Sequence, residues 1–147
     1  MRNPPLKPRI LLIEDDPERI SIFRAWLMGT EFVLIEASSG GRAKGILQKG
    51  MTVGIAGICL DNDLEKQPMT ESDLSLSGTG LISAITWSVQ RSVPILIHSM
   101  NVQKPPAMER ALKSAGFSVT RTRMMMLSRE AFNEWLIDVR NNWEDSE

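Results

Sequence analysis

The sequence predicts one α/β domain in which a parallel sheet is covered by helices on both faces. Short apolar runs of strand length alternate with segments whose apolar residues have helical spacing, and this alternation favours right-handed crossovers within a parallel sheet. Two of the apolar runs end directly on acidic residues. The length of 147 residues suits a single domain, and no internal repeat is visible.

The first half of the chain predicts three strands and two helices. Residues 10–13 are a continuous apolar run, typical of a strand buried on both faces. Asp16 followed by Pro17 predicts the start of a helix, because an N-cap side chain and a proline at the first helical position both favour it. Gly29 predicts the end of that helix. The other elements predicted in this half are a strand at 32–37, a helix from 38–41 through Lys49 and a strand at 53–60.

The second half predicts a loop, two strands and three helices. Residues 64–78 are polar and are predicted as a loop, followed by a helix at 79–91 and a strand at 94–98. A helix at 105–116 and a strand at 118–124 follow, and Ser128 predicts the start of the last helix. We therefore expect a domain over 9–143, with a proline-rich arm at 1–8 and an acidic tail at 144–147.

Composition excludes several classes of function. Seventeen basic and eighteen acidic residues leave a formal charge of −1, which gives no reason to expect general nucleic-acid binding or an anionic membrane as partner. The N-terminus, residues 1–9, has no apolar core for a signal peptide, and no apolar stretch of the chain approaches the length of a membrane span. We expect a cytoplasmic protein.

Polar residues follow three of the predicted strands at the point where each ends. These segments are Glu14-Asp15-Asp16, Asp61-Asn62-Asp63 and His98-Ser99-Met100-Asn101. Because ligands of open parallel sheets bind beyond the carboxyl ends of the strands, we expect these side chains to share one site. Clustered carboxylates favour a hard cation such as Mg²⁺, for which the residues predict Glu14, Asp15 and Asp61 as ligands. The alternative is that the acids are helix caps and turn formers, which is our interpretation of Asp16.

These motifs resemble response-regulator receiver domains. The run from Ile10 to Pro17, ILLIEDDP, is similar to the first strand and acidic turn of that family, and Asp61 matches its phosphoacceptor aspartate. The resemblance implies a flavodoxin-like receiver fold with a five-stranded parallel sheet in the order 2-1-3-4-5. It also implies that Glu14 and Asp15 hold Mg²⁺ together with Asp61 and the backbone carbonyl of Asp63, and that Ser99 binds the phosphoryl group.

Departures from the family pattern indicate a subtype. The family's lysine after the fifth strand is absent, Arg123 stands at or near its position as a candidate phosphate ligand, and Arg121 is an alternative. The string LDNDL at 60–64, with HSMN at 98–101, resembles the cyclic-phosphate-processing receiver domains. That resemblance implies the opening or handling of cyclic phosphates on nucleotides or RNA ends, with a phosphorylated small molecule or nucleotide as the partner.

His98 is the only histidine, and an imidazole is the side chain that exchanges protons near neutral pH. It is a candidate catalytic residue with Asp61, while Ser99 and Asn101 could hold phosphoryl oxygens. Neighbouring strand residues point to opposite faces, so if Ser99 faces the acids, His98 should face a helix layer. A hydrogen-bonded structural histidine therefore stays open as the alternative.

Three functions follow from these residues. The first is a metal-dependent enzyme acting on cyclic phosphates, which the missing lysine and the HSMN string favour. The second is a stand-alone receiver phosphorylated on Asp61 by a histidine kinase and read by an effector protein. The third is a degenerate receiver that serves as an interaction scaffold, which the intact acidic set disfavours.

Overall fold

A computed structural model of the chain describes residues 7–49, 54–61, 79–99, 107–123 and 127–146. The strands in these ranges are β1 (Arg9–Ile13), β2 (Val33–Ala37), β3 (Ile55–Asp61), β4 (Ile95–Ser99) and β5 (Val119–Arg123). The helices are α1 (Pro17–Leu27), α2 (Gly40–Gln48), α3 (Thr79–Ser88), α4 (Ala107–Ser114) and α5 (Arg129–Ser146). None of the helices in the described ranges combines the length and the apolar character that a bilayer span requires.

The strands form one parallel sheet in the order β2-β1-β3-β4-β5, which confirms the predicted fold. Successive strand residues alternate between two apolar cores. One core lies under α2, α3 and α4 and contains Ile13, Leu60 and Ile97. The other lies under α1 and α5, and its members include Phe23 and Phe132. The sheet is therefore covered on both faces, and the carboxyl ends of its central strands meet at one edge.

The ends of α1 follow the sequence signals. Asp16 is its N-cap: the side chain accepts a hydrogen bond from the backbone N–H of Glu18, and Pro17 occupies the first turn. Gly29 follows the C-terminal cap with a φ of 83°, a left-handed conformation that glycine adopts without steric cost. The N-cap fixes where α1 begins relative to the end of β1. It therefore also fixes which residues of the first turn of α1 lie next to Glu14.

Two helices differ in length from the prediction. The last helix continues to Ser146, through residues that the sequence predicted as an acidic tail, because no glycine or proline interrupts it. The third helix ends at Ser88, whereas the sequence predicted its end at residue 91. Beyond the helix, the side chain of Arg91 donates a hydrogen bond to the backbone carbonyl of Thr86. The predicted loop at 64–78 lies outside the described residues.

Gly57 of β3 is required by the packing of α5 onto the sheet. A Cβ atom at this position would lie 2.9 Å from Cη2 of Trp135 and 3.2 Å from a methyl group of Val139. We expect Gly57→Ala to lower the free energy of unfolding by about 1–3 kcal/mol, because the core is overpacked. Urea unfolding measures this difference.

Gly45 provides the matched control for that substitution. It lies in α2, where an added Cβ meets no atom within 4 Å. Gly45→Ala is expected to raise the free energy of unfolding by up to about 1 kcal/mol through helix propensity. Equal losses at Gly45 and Gly57 would contradict the packing argument.

Candidate functional site

Three buried polar side chains meet at the carboxyl ends of the central strands. Glu14 directly follows β1, Asp61 is the last residue of β3, and His98 of β4 is its partner in the strand register. Each is at most 1% exposed. One ligand atom from each lies within 4.8 Å of those of the other two. These three residues, together with Arg19 described below, are called the Glu14 cluster.

The period of the strands explains why the three side chains share a face. The residues two positions before them all belong to the core under α1 and α5: Leu12, Cys59 and Leu96. Side chains two residues apart in a strand point the same way. Glu14, Asp61 and His98 therefore face α1 and α5 at the point where the apolar core ends.

The carboxylate of Glu14 is held by several donors. Its Oε2 accepts hydrogen bonds from the backbone N–H of Asp15 at 2.9 Å and of Asp16 at 3.1 Å. His98 Nε2 lies 3.1 Å from Oε1. The Nε and Nη2 atoms of Arg19 lie 2.5 and 3.1 Å from Oε1 and Oε2, a bidentate pair.

This environment keeps Glu14 ionised. Burial by itself raises the pKa of the Glu14 carboxyl, but hydrogen bonds with His98, Arg19 and Asp61 outweigh it. The pKa of Glu14 is therefore held well below its ordinary value of 4.5. Near neutral pH the group is an anion that only accepts hydrogen bonds.

The orientation of His98 settles a question that the sequence left open. Its ring packs against Phe23 of α1 with ring centroids 5.0 Å apart, so it does face a helix layer. That layer is also where Glu14 lies, so the contact with the acid and the packing against α1 occur together. The second ring nitrogen, Nδ1, is buried and has no hydrogen-bond partner among the described residues.

Arg19 is the residue that the sequence analysis missed. It lies in the first turn of α1, its side chain is 8% exposed, and it also contacts Asp61 at 3.4 Å. A cation in the first turn opposes the helix macrodipole, which favours negative charge there. An arginine in the first turn of a predicted helix, five positions after Glu14, was the sequence feature that could have identified it. Its unfavourable interaction with the macrodipole indicates that nearby acidic side chains stabilise its charge.

The remaining predicted residues divide into four groups. Asp15 lies beside the cluster with a half-exposed side chain, 3.9 Å from Arg19 Nη2. Arg123 is exposed at the end of β5, in register with Ser99, of which only the backbone is described. Arg121 forms an ion pair with Glu109 of α4 at 3.0 Å. Asp63 and Asn101 lie outside the described residues.

The donor set fits a divalent cation. Glu14 and Asp61 offer carboxylate oxygens, which suit both Mg²⁺ and Mn²⁺. The carboxylates near Arg19 outnumber it, since Glu14, Asp16 and Asp61 all lie within ion-pair distance of one guanidinium. Further positive charge would therefore be stabilised at this edge.

Comparison with solved structures identifies the fold. The chain is similar to the N-terminal domain of a response regulator/sensory box/GGDEF protein from Carboxydothermus hydrogenoformans, with 16% identity over 95% of this chain and 99% of that one, and a TM-score of 0.67. It is also similar to the receiver domain of a sensor histidine kinase from Pseudomonas aeruginosa, which has a magnesium ion in its active-site cleft. There the identity is 18%, the coverage 90% and 97%, and the TM-score 0.62.

A receiver protein from Sinorhizobium medicae gives 20% identity over 91% of this chain and 94% of that one, with a TM-score of 0.61. No protein-family model and no curated protein sequence matches the chain. At these identities the likeness establishes the fold, which is that of receiver domains.

Proposed function

We propose that this receiver-fold chain hydrolyses cyclic phosphodiesters, such as 2′,3′-cyclic phosphates of nucleotides or RNA ends, with the help of a divalent cation. The observation that carries the proposal is the contact of His98 with Glu14 beside Asp61. A receiver that only accepts a phosphoryl group on an aspartate requires no proton-transfer group at this place. A phosphodiesterase requires one, because water must lose a proton and the leaving oxygen must gain one.

His98 has the arrangement of a general base. Because Glu14 is an ionised acceptor, the contact selects the imidazole tautomer whose hydrogen is on Nε2, and that tautomer has its lone pair on Nδ1. A carboxylate that fixes the tautomer and orientation of a histidine is the arrangement on which nucleophile activation depends in hydrolases. Nδ1 is buried and has no hydrogen-bond partner in the described part of the chain, and the proposal places the attacking water beside it.

The proposed reaction follows from these positions. Nδ1 of His98 takes a proton from a water whose oxygen bonds to phosphorus, and one ester P–O bond breaks. The proton is returned to the departing oxygen, which leaves a phosphomonoester and a free hydroxyl group. Ser99, Asn101 and Arg123 are proposed to hold the phosphoryl oxygens.

The cation site uses the same edge of the sheet. Glu14, Asp15 and Asp61 would hold a Mg²⁺ or similar ion, with Asp63 as a further ligand. Such an ion, when bound, neutralises the charged oxygens of the phosphodiester and makes phosphorus easier to attack. The protein groups then bind, orient and exchange the proton.

A second candidate function is a stand-alone receiver in a two-component system. The similarity to receiver domains, one of them with magnesium in its active-site cleft, favours it. Asp61 would then accept a phosphoryl group from a histidine kinase, and an effector protein would recognise the phosphorylated form.

One pair of assays separates the two functions. The wild-type protein with Mg²⁺ is expected to convert a 2′,3′-cyclic nucleotide to its monophosphate. Chromatography of the reaction mixture measures the rate of this conversion. Asp61→Asn is expected to lower that rate at least about a hundredfold, because it removes a ligand charge from the cation site.

The second assay exposes the protein to a small phosphodonor and measures its intact mass. A phosphoryl adduct that is lost in Asp61→Asn, without any turnover of the cyclic nucleotide, would replace the first proposal by the second. If the protein shows no turnover, no phosphoryl adduct and no metal binding by calorimetry, the interaction scaffold would be the remaining function.

A further inference from the structure

Arg19 places a buried positive charge at the centre of the acids. Its guanidinium forms two hydrogen bonds with Glu14 and lies 3.2 Å from the carboxylate of Asp16 and 3.4 Å from that of Asp61. The same group lies 3.9 Å from Asp15. Every described carboxylate that we assign to the cation site is therefore within reach of this one side chain.

We propose that Arg19 is the resident counter-cation of the Glu14 cluster, and that a divalent cation competes with it for Glu14 and Asp61. Both oxygens of Glu14 already accept hydrogen bonds from Arg19. A magnesium ion binds a carboxylate oxygen at about 2.0–2.1 Å, and its charge repels a guanidinium held against the same carboxylate. The ion and Arg19 therefore cannot both be bound fully to Glu14.

Two features of Arg19 make the exchange feasible. It is in the first turn of α1, beside the half-exposed Asp15 and Asp16, so its side chain has a short path to solvent. Its positive charge there is unfavourable with respect to the helix macrodipole, so its position depends on the acids that hold it. When a cation binds those acids, the reason for Arg19 to stay buried is removed.

The competition with Arg19 determines the stability of the Glu14 cluster without metal and its affinity for a divalent cation. With Arg19 in place, the acids are partly neutralised and the edge of the sheet is stable without an ion. The cation then binds more weakly than the number of carboxylates would suggest. The inference rests on the proposed function only for the use of the cation in hydrolysis, because the competition itself concerns binding.

The test measures metal affinity in the absence of substrate. Isothermal titration calorimetry with Mn²⁺ is carried out on the wild type and on Arg19→Gln. We expect the Kd of Arg19→Gln for Mn²⁺ to be at least tenfold lower than that of the wild type. We also expect Arg19→Gln to melt at a lower temperature without metal, and Mn²⁺ to raise its melting temperature more than that of the wild type.

Arg24→Gln is the matched control. Arg24 is also on α1 and also pairs with a glutamate, Glu36, but the pair is largely exposed and contains no member of the Glu14 cluster. Its Kd for Mn²⁺ is expected to equal that of the wild type. Arg19→Lys keeps the charge without the bidentate geometry, and a smaller gain in affinity is expected.

The inference is overturned if folded Arg19→Gln, or Arg19→Lys where Arg19→Gln does not fold, binds Mn²⁺ no more tightly than the wild type. A measurement on the unaltered protein is independent of these variants. Addition of Mg²⁺ should shift the NMR signal of the Arg19 Nε–H group as its hydrogen bond to Glu14 breaks. An unchanged signal at saturating Mg²⁺ would equally overturn the inference. Neither result depends on whether cyclic phosphates are hydrolysed.

Discussion

Glu14→Gln is expected to lower the free energy of unfolding by about 3 kcal/mol at neutral pH. The substitution keeps the shape of the side chain but removes the anion that Arg19 and His98 contact. Removing one partner of a buried ion pair costs about 3–5 kcal/mol, because the other charge stays buried without compensation. The low end applies here, since Arg19 keeps its contacts with Asp16 and Asp61. Urea unfolding of the two proteins measures the difference.

The pH dependence of that difference identifies its cause. The pKa of Glu14 is lowered in the folded protein from the ordinary 4.5, so its stabilising contribution is complete above pH 4.5. The contribution is lost as the pH falls below that value towards the folded pKa. The wild type should therefore approach Glu14→Gln in stability in acid, whereas the two should differ most near neutrality.

Glu36→Gln is the control for the loss of an arginine–glutamate pair as such. Glu36 of β2 pairs with Arg24 of α1, the helix that also carries Arg19, but both side chains have solvent access. Exposed pairs contribute about 0–1 kcal/mol, so only a small change is expected. Similar losses in Glu14→Gln and Glu36→Gln would show that burial of the Glu14 cluster has no special weight.

The fold could be predicted from the sequence because it depends on patterns that are local. Apolar runs, the Asp16-Pro17 start signal and Gly29 each report on a few neighbouring residues, and parallel order follows from their alternation. Glu14 and Asp61 were found in the same way, since each lies where an apolar strand ends.

The direction of His98 depended on a relation between strands. Alternation within β4 relates His98 only to its neighbour Ser99, whereas its direction relative to the acids follows from comparing β4 with β1 and β3. In all three strands the polar residue comes two positions after a residue of the core under α1 and α5. Arg19 required the tertiary structure, because its role depends on how the first turn of α1 lies over the end of β1.

His98→Gln is expected to lower kcat for 2′,3′-cyclic nucleotide hydrolysis by about a hundredfold to ten-thousandfold, the usual contribution of a general base. Glutamine can still donate its amide N–H to Glu14, so the contact that orients the side chain is kept. It has no group that takes up a proton near neutral pH. The loss should therefore be in kcat, with KM nearly unchanged, and steady-state kinetics with Mg²⁺ separates the two.

Thr122→Val is the matched control for this substitution. Thr122 is the register partner of His98 on β5, so the change alters a neighbour in the sheet without removing a proton-transfer group. Its kcat should stay within a few-fold of the wild type. If His98→Gln folds, binds metal and turns over at the rate of Thr122→Val, His98 is a structural histidine. Hydrolysis would then proceed without His98, and the assignment of its Nδ1 as the general base would be wrong.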